Sequence, residues 1–192
     1  PNFAIEVANE IPTITTIASK NKNLANEIIE SLNNNYFKAD YFLDPINVEI
    51  CGIVKNIIAI GCGIVDGLDL GVNAKSALVI KGIEEIKVLC RELKVSEDIS
   101  HSAGFGDIFL TCSSIKSRNN SLGVLISEGK NYQEIIEKTK TTYEGFYSAK
   151  AIVEIAKKLK IKLDLCDKIN EFLNNKHTKS QIKEQISQII LK

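Results

Sequence analysis

The hydrophobic pattern of this chain changes character near residue 45. Before that point, PTITTIAS (Pro12 to Ser19) gathers β-branched residues between polar runs, which predicts a strand. KNLANEIIESLNN then places Leu24, Ile28 and Leu32 four residues apart on one helix face, and the cluster from Asn33 to Asn35 ends that helix. A second short strand is predicted around Tyr36 to Leu43. Two strands alone are marginal in water, so this strand–helix–strand piece reads as the edge of a sheet whose other strands are not in this sequence.

From Pro45 onward the period is helical. Pro45 suits a first helical turn with Asp44 as its cap. Asn73 is placed to cap a further helix with Val79, Ile83, Ile86, Cys90 and Leu93 along one face. Asn131 with Glu134, and Thr178 with Gln181, have capping-box spacing and start two later helices. The expected fold is therefore mainly α: an all-helical domain over residues 45–192, preceded by a strand–helix–strand remnant of an α/β domain over residues 1–44.

Composition narrows the function. With 192 residues and 44% hydrophobic content the chain can bury a substantial core. Basic and acidic residues balance at 24 each, so no long-range field recommends a nucleic acid or an anionic membrane, and any bound anion must be held locally. Cys51, Cys62, Cys90, Cys112 and Cys166 are scattered, with no Cys-x-x-Cys pair or His/Cys cluster, which argues against a disulfide framework and a metal site and for reduced cytoplasm. The longest apolar segment is interrupted by Lys55 and Asn56, so neither a signal peptide nor an integral membrane segment is expected. The chain starts at Pro1 and has no methionine, and is read as a piece of a longer protein.

That interrupted segment, EICGIVKNIIAIGCGIVDGL (Glu49 to Leu68), raises the chemistry. On a helix Lys55 shares a face with Gly52, Ala59 and Cys62, small neighbours that leave room beside it. Burial there would depress an amine from about 10.4 toward neutrality, where it can exchange protons. The other open reading is that Lys55 snorkels to water and the glycines serve close packing. IIAIGCGIVDGL also imitates a Gly-rich dinucleotide turn, but Asp66 stands where the third glycine belongs.

AGFGDIFLTCSSIKSRNN (Ala103 to Asn120) is the second polar concentration. Gly104 and Gly106 permit an unusual backbone path into Asp107, which is either a site carboxylate, with Thr111 one turn on, or a helix cap. Ser117, Arg118 and Asn119 ahead of an apolar helix form a phosphate site or a solvated loop. His101 and His177 have no partner at ligand spacing and receive no role, and Tyr143-Glu144-Gly145 is by itself a turn and cap.

EICGIVKNIIAIGCGIVDGL, GVNAKSALVIKG, AGFGDIFLTC, SRN and YEG occur in an order that resembles the NAD(P)-dependent glycerol-3-phosphate dehydrogenases of bacteria. The opening PNFAIEVANEIPT is similar to that family's Gly-Pro-Ser/Thr-Phe-Ala segment, entered one residue late. The resemblance runs from Pro1 to the last helices and implies a Rossmann-type N-terminal domain, of which residues 1–44 are the end, and a helical substrate domain. It implies reversible hydride transfer between NAD or NADP and C2 of glycerol 3-phosphate, giving dihydroxyacetone phosphate, a step that supplies glycerophospholipid synthesis. Lys55 would be the general base, and Asn2, Asn56, Asp107, Thr111, Ser117, Arg118 and Asn119 would join it in binding substrate. Ala4, Arg118, Thr142 and Glu144 would contact the cofactor. Oligomeric state stays open at this point, with a homodimer one outcome if the surface where the first domain would dock is apolar and invites self-association.

Three departures stand out. Asn2 replaces a hydroxyl residue, Thr142-Tyr143 replaces what is usually a pair of valines, and no complete Gly-x-Gly-x-x-Gly unit is present. With the main cofactor domain missing, the chain alone is expected not to turn over substrate. Hydroxyacid and phosphogluconate dehydrogenases with a helical partner domain, and a non-catalytic helical remnant, are the alternatives.

Overall fold

The computed structural model describes residues 2–114 and 117–192. After a short helix α1 (Ala4–Ala8), strand β1 (Thr13–Ala18) pairs in parallel with β2 (Phe37–Phe42) in register from Thr13↔Phe37 to Ala18↔Phe42, and helix α2 (Lys22–Leu32) crosses between them. Asn21 starts α2 by accepting the Leu24 N–H at 3.1 Å. The expected stripe is real but uncovered: Leu24, Ile28 and Leu32 are 48%, 38% and 40% exposed, and Ala25 is the residue α2 buries.

Helix α3 (Pro45–Gly67) is the axis of the rest. It packs against α4 (Gly71–Glu92), α5 (Asp107–Ser113), α6 (Arg118–Ser127), α8 (Glu144–Leu159) and α9 (Asp164–Asn174). By length and composition α3 is apolar enough to cross a membrane, yet 72% of that window is buried inside the protein, as befits a core helix. Glycines set its closest crossing: a Cβ on Gly63 would lie 2.0 Å from the Asn120 carbonyl oxygen of α6. The imitation dinucleotide turn thus lies within a continuous helix.

Several caps behave as the sequence predicts and others do not. The boxes at Asn131–Glu134 for α7 (Tyr132–Thr139) and Thr178–Gln181 for α10 (Lys179–Leu191) are both reciprocal. Asp44 is the N-cap residue of α3, as expected, but its side chain does not make the capping bond: its Oδ2 accepts the Ser96 N–H at 3.0 Å, tying the start of α3 to the segment after α4. Asn73 lies inside the first turn of α4, which begins at Gly71 with φ +85, a conformation that favours glycine. Leu93 is 38% exposed, and the inward face of α4 is formed by Leu78, Ile83, Ile86, Leu89 and Cys90.

The start of α9 is capped from another helix. Buried Glu85 of α4 accepts the Leu165 N–H at 2.6 Å and the Cys166 N–H at 3.0 Å. Desolvation raises its carboxyl above the ordinary range, while those two donors pull it back.

Candidate active site

Lys55 leaves α3 at mid-length. Ala59 and Cys62, on its face, are sealed in the core, whereas a Cβ on Gly52 would meet nothing within 4 Å. The open space beside the lysine is therefore at the Gly52 end. Its ammonium does not snorkel to bulk water, and its surroundings are not purely apolar either: Nζ pairs with Oδ2 of Asp107, the two side chains being 23% and 12% exposed.

The backbone path that delivers Asp107 explains Gly104 but not Gly106, which is ordinary right-handed helix (φ −57, ψ −46) with no atom nearer than 3.8 Å to an added Cβ. A kinked turn over Ser102–Gly106, non-helical at Gly104 (φ −93, ψ −105), leads into α5, held by Phe105 N–H donating to Ile99 O at 2.8 Å and Gly104 N–H to His101 O at 3.0 Å. A Cβ on Gly104 would lie 2.4 Å from the Ile99 carbonyl oxygen, so only glycine fits the turn. Asp107 is the first residue of α5, and its described hydrogen bonds run to Lys55 and, through Oδ1, from the Thr111 hydroxyl at 3.4 Å. The helix-cap reading of Asp107 is overturned.

His101 anchors this turn to α3. Asn47 gives its amide hydrogens to Ser96 O at 2.7 Å and Asp98 O at 3.1 Å, which leaves Oδ1 to accept from His101 Nε2 at 3.0 Å. The imidazole is thereby the Nε2–H tautomer. Its ring lies 4.1 Å from that of Phe42, and burial pushes its pKa below the usual value. The sequence carried no signal for this, because Asn47 and His101 are 54 positions apart.

Asn56, next to Lys55, connects to the Ser-Arg-Asn segment. Its Oδ1 accepts from Asn119 Nδ2 at 2.9 Å, and Asn119 Oδ1 accepts the Gly145 N–H at 3.0 Å, so one buried carboxamide joins α3, α6 and α8. Gly145 lets this contact be close: a Cβ there would sit 2.6 Å from Ile60 Cδ1 and 2.7 Å from Asn119 Oδ1, so both side chains would have to shift. Ser148 on α8, unmarked in the sequence, lies 3.5 Å from Asn56 Nδ2. Ser117 caps α6 by accepting the Asn120 N–H at 3.3 Å. Arg118 stands outside, 65% exposed, and pairs at 3.2 Å with Glu144, itself 70% exposed. Such a surface pair contributes little to stability, and a ligand can compete for either member.

Other expected residues lie apart. Asn2 donates to Ile14 O at 3.2 Å, in a cleft of about 230 Å³ shared with Phe3, Ser102, Gly106 and Phe109. Ala4 and Thr142 are exposed. Burial pushes the thiols of Cys51 on α3 up to about 12 and of Cys90 on α4 up to about 11, so neither of these two is poised as a nucleophile.

An ion-paired lysine on a core helix, joined through asparagines to a helix start beside an arginine, is the geometry to compare with known proteins. The family described as NAD-dependent glycerol-3-phosphate dehydrogenase C-terminus matches residues 44–184. The chain belongs to this family. A glycerol-3-phosphate dehydrogenase [NAD(P)+] of Maricaulis maris is 38% identical over 174 residues, covering 90% of this chain and 52% of the relative. A chloroplastic glycerol-3-phosphate dehydrogenase [NAD(+)] of Arabidopsis thaliana is 36% identical over 93% of this chain and 43% of its own length. The crystal structure of the Coxiella burnetii glycerol-3-phosphate dehydrogenase superposes with a TM-score of 0.89 at 33% identity, over 100% of this chain and 58% of that one. The chain thus spans about half the length of the glycerol-3-phosphate dehydrogenases it matches.

Proposed function

We propose that this chain acts as the substrate domain of an NAD(P)-dependent glycerol-3-phosphate dehydrogenase, with residues 45–192 as that domain and residues 1–44 as the end of a dinucleotide-binding domain. The observation that carries the proposal is the Lys55–Asp107 pair, open at Gly52 and linked through Asn56 and Asn119 to the Arg118 turn. In glycerol 3-phosphate oxidation Lys55 Nζ, in its free-amine form, takes the proton of the C2 hydroxyl, and Asp107 faces the ammonium that forms. Thr111 holds the second carboxylate oxygen, so Asp107 is fixed before the proton moves. The start of α6 and the Arg118 guanidinium receive the phosphate, Arg118 leaving Glu144 to do so. In the reverse direction the same ammonium returns its proton to the alkoxide oxygen.

NAD(P) supplies the hydride acceptor when bound. The residues present fit its rim rather than its cradle. The described sheet has only two strands and no Gly-rich turn, while Arg118 and Glu144 offer an exposed polar pair beside the α6 start. Ala4, Thr142 and Asn2 are assigned here by family likeness alone. The fully buried thiols among the cysteines fit the cytoplasm, and the product fits a supply of glycerophospholipid precursor. Exposed Val72, Ile80, Phe105 and Phe109 support a homodimer, which light scattering of the full-length protein tests.

The deciding experiment assays the full-length protein with glycerol 3-phosphate, non-phosphorylated hydroxyacids and phosphogluconate. Glycerol 3-phosphate is expected to be preferred, and Lys55→Met to lower its turnover by about 10²–10⁴-fold. Preference for a hydroxyacid rejects the proposal. The chain by itself is expected not to reduce dihydroxyacetone phosphate with NAD(P)H.

A further inference from the structure

Asp107 owes its place to the turn before it, and that turn is held from two sides. On the helical side, His101 donates to Asn47 of α3 at 3.0 Å. On the other, Thr16 of β1 takes hold of the next two residues: its Oγ1 lies 2.6 Å from the Ser102 hydroxyl and accepts the Ala103 N–H at 3.2 Å. Between these anchors the turn closes on its own backbone and enters α5 at Asp107. Thr16 is 86 positions from Ser102 in the sequence and belongs to the strand–helix–strand unit.

We propose that Thr16 is a positioning residue for the proposed base: by fixing Ser102 and Ala103 it sets where the Asp107 carboxylate meets Lys55, so β1 of the α/β unit takes part in the proton transfer carried out on α3. Threonine suits both demands of the position. Its branched Cβ favours the strand, and its hydroxyl accepts the backbone N–H while bonding to serine. Valine would keep the shape and the strand preference but leave the Ala103 N–H and the Ser102 hydroxyl without this partner. Displacing a turn that orients a reacting group by a fraction of an ångström is felt in turnover rather than in affinity.

This inference rests on the dehydrogenase reading, so its test has one arm that does not. In the 192-residue chain, lysines are reductively methylated with ¹³C-formaldehyde and a borane reductant, and the Lys55 signal is assigned with Lys55→Arg. Asp107→Asn marks where that signal falls when the pair is lost. Thr16→Val is expected to move the signal most of the way to that position, and Thr16→Ser to leave it near the wild type. A Thr16→Val signal coincident with wild type overturns the proposal. If Thr16→Val does not fold, Thr16→Ala, which removes both the Ser102 and the Ala103 contacts with a smaller side chain, decides in the same way. In the full-length protein Thr16→Val is expected to lower kcat for glycerol 3-phosphate oxidation at least about tenfold with KM within about twofold, and Thr16→Ser to restore it. Wild-type failure to oxidise glycerol 3-phosphate would reject the function while the Lys55 signal still judges Thr16. Equal loss in the valine and serine variants would reject the positioning role.

Discussion

Gly63 of α3 and Gly123 of α6 meet backbone to backbone: a Cβ on Gly123 would lie 2.0 Å from the Ile60 carbonyl oxygen and 2.9 Å from the Gly63 Cα. No side-chain adjustment can relieve a clash with main chain. Gly123→Ala is therefore expected to destabilise the protein by about 3 kcal/mol or more, read in denaturant or thermal unfolding. Because the same helix starts at Arg118, it should also break the Asn119–Asn56 contact. A variant with unchanged stability would show that the crossing is looser than described.

Gly52 provides the contrast. A Cβ there meets nothing within 4 Å, and helical glycine is costly. Gly52→Ala is expected to raise stability by about 0.5–1 kcal/mol. It also narrows the space beside Lys55, so turnover of the full-length protein should fall although the fold gains. Higher stability with undiminished turnover would place the substrate elsewhere.

Asp107→Asn keeps the shape of the side chain and removes its charge. The proposed ammonium then forms without a counter-charge, and kcat is expected to drop by about 10²-fold or more, with a much smaller change in KM. A purely structural Asp107 would instead show lost stability with near-normal kcat.

His101 predicts a pH effect. Burial lowers its folded pKa below the ordinary 6.5, with Asp98 and Asp40 opposing the shift. Between the two values the unfolded chain binds a proton that the folded one refuses, so stability is full above about 6.5 and falls as pH decreases toward the folded value. His101→Gln can still donate to Asn47 but cannot titrate. The wild-type minus variant stability difference should therefore shrink steadily on acidification through that window, as measured by denaturant unfolding at several pH values. A difference independent of pH would contradict the assignment.

What could be read from the sequence was local. The boxes at Asn131 and Thr178, the strand patterns and the helical period all arise from neighbours within a few positions. A capping residue type does not say which bond its side chain makes or on which residue the helix starts: Asp44 precedes α3 but gives its carboxylate to Ser96, 52 residues on, and α4 starts two residues before Asn73, at Gly71. Lys55 and Asp107 share a site in the sequence only through the family resemblance; their pairing itself is produced by the kinked turn that brings Asp107 to α3. Thr16 and Asn47 were invisible for the same reason: a threonine in a strand and an asparagine in a helix are unremarkable until the turn at Ser102 arrives beside them.

Helix α3 buries 14 of its 23 residues, among them both immediate helical neighbours of the base at Val54 and Asn56. Evolution toward a different substrate has almost no freedom along that rod, since repacking any face of it would drag the amine with it. New specificities within this architecture should instead accumulate at exposed positions on the segments that carry the rest of the site, such as Phe105 and Arg118, 49% and 65% exposed, where side chains can be exchanged without rebuilding the interior.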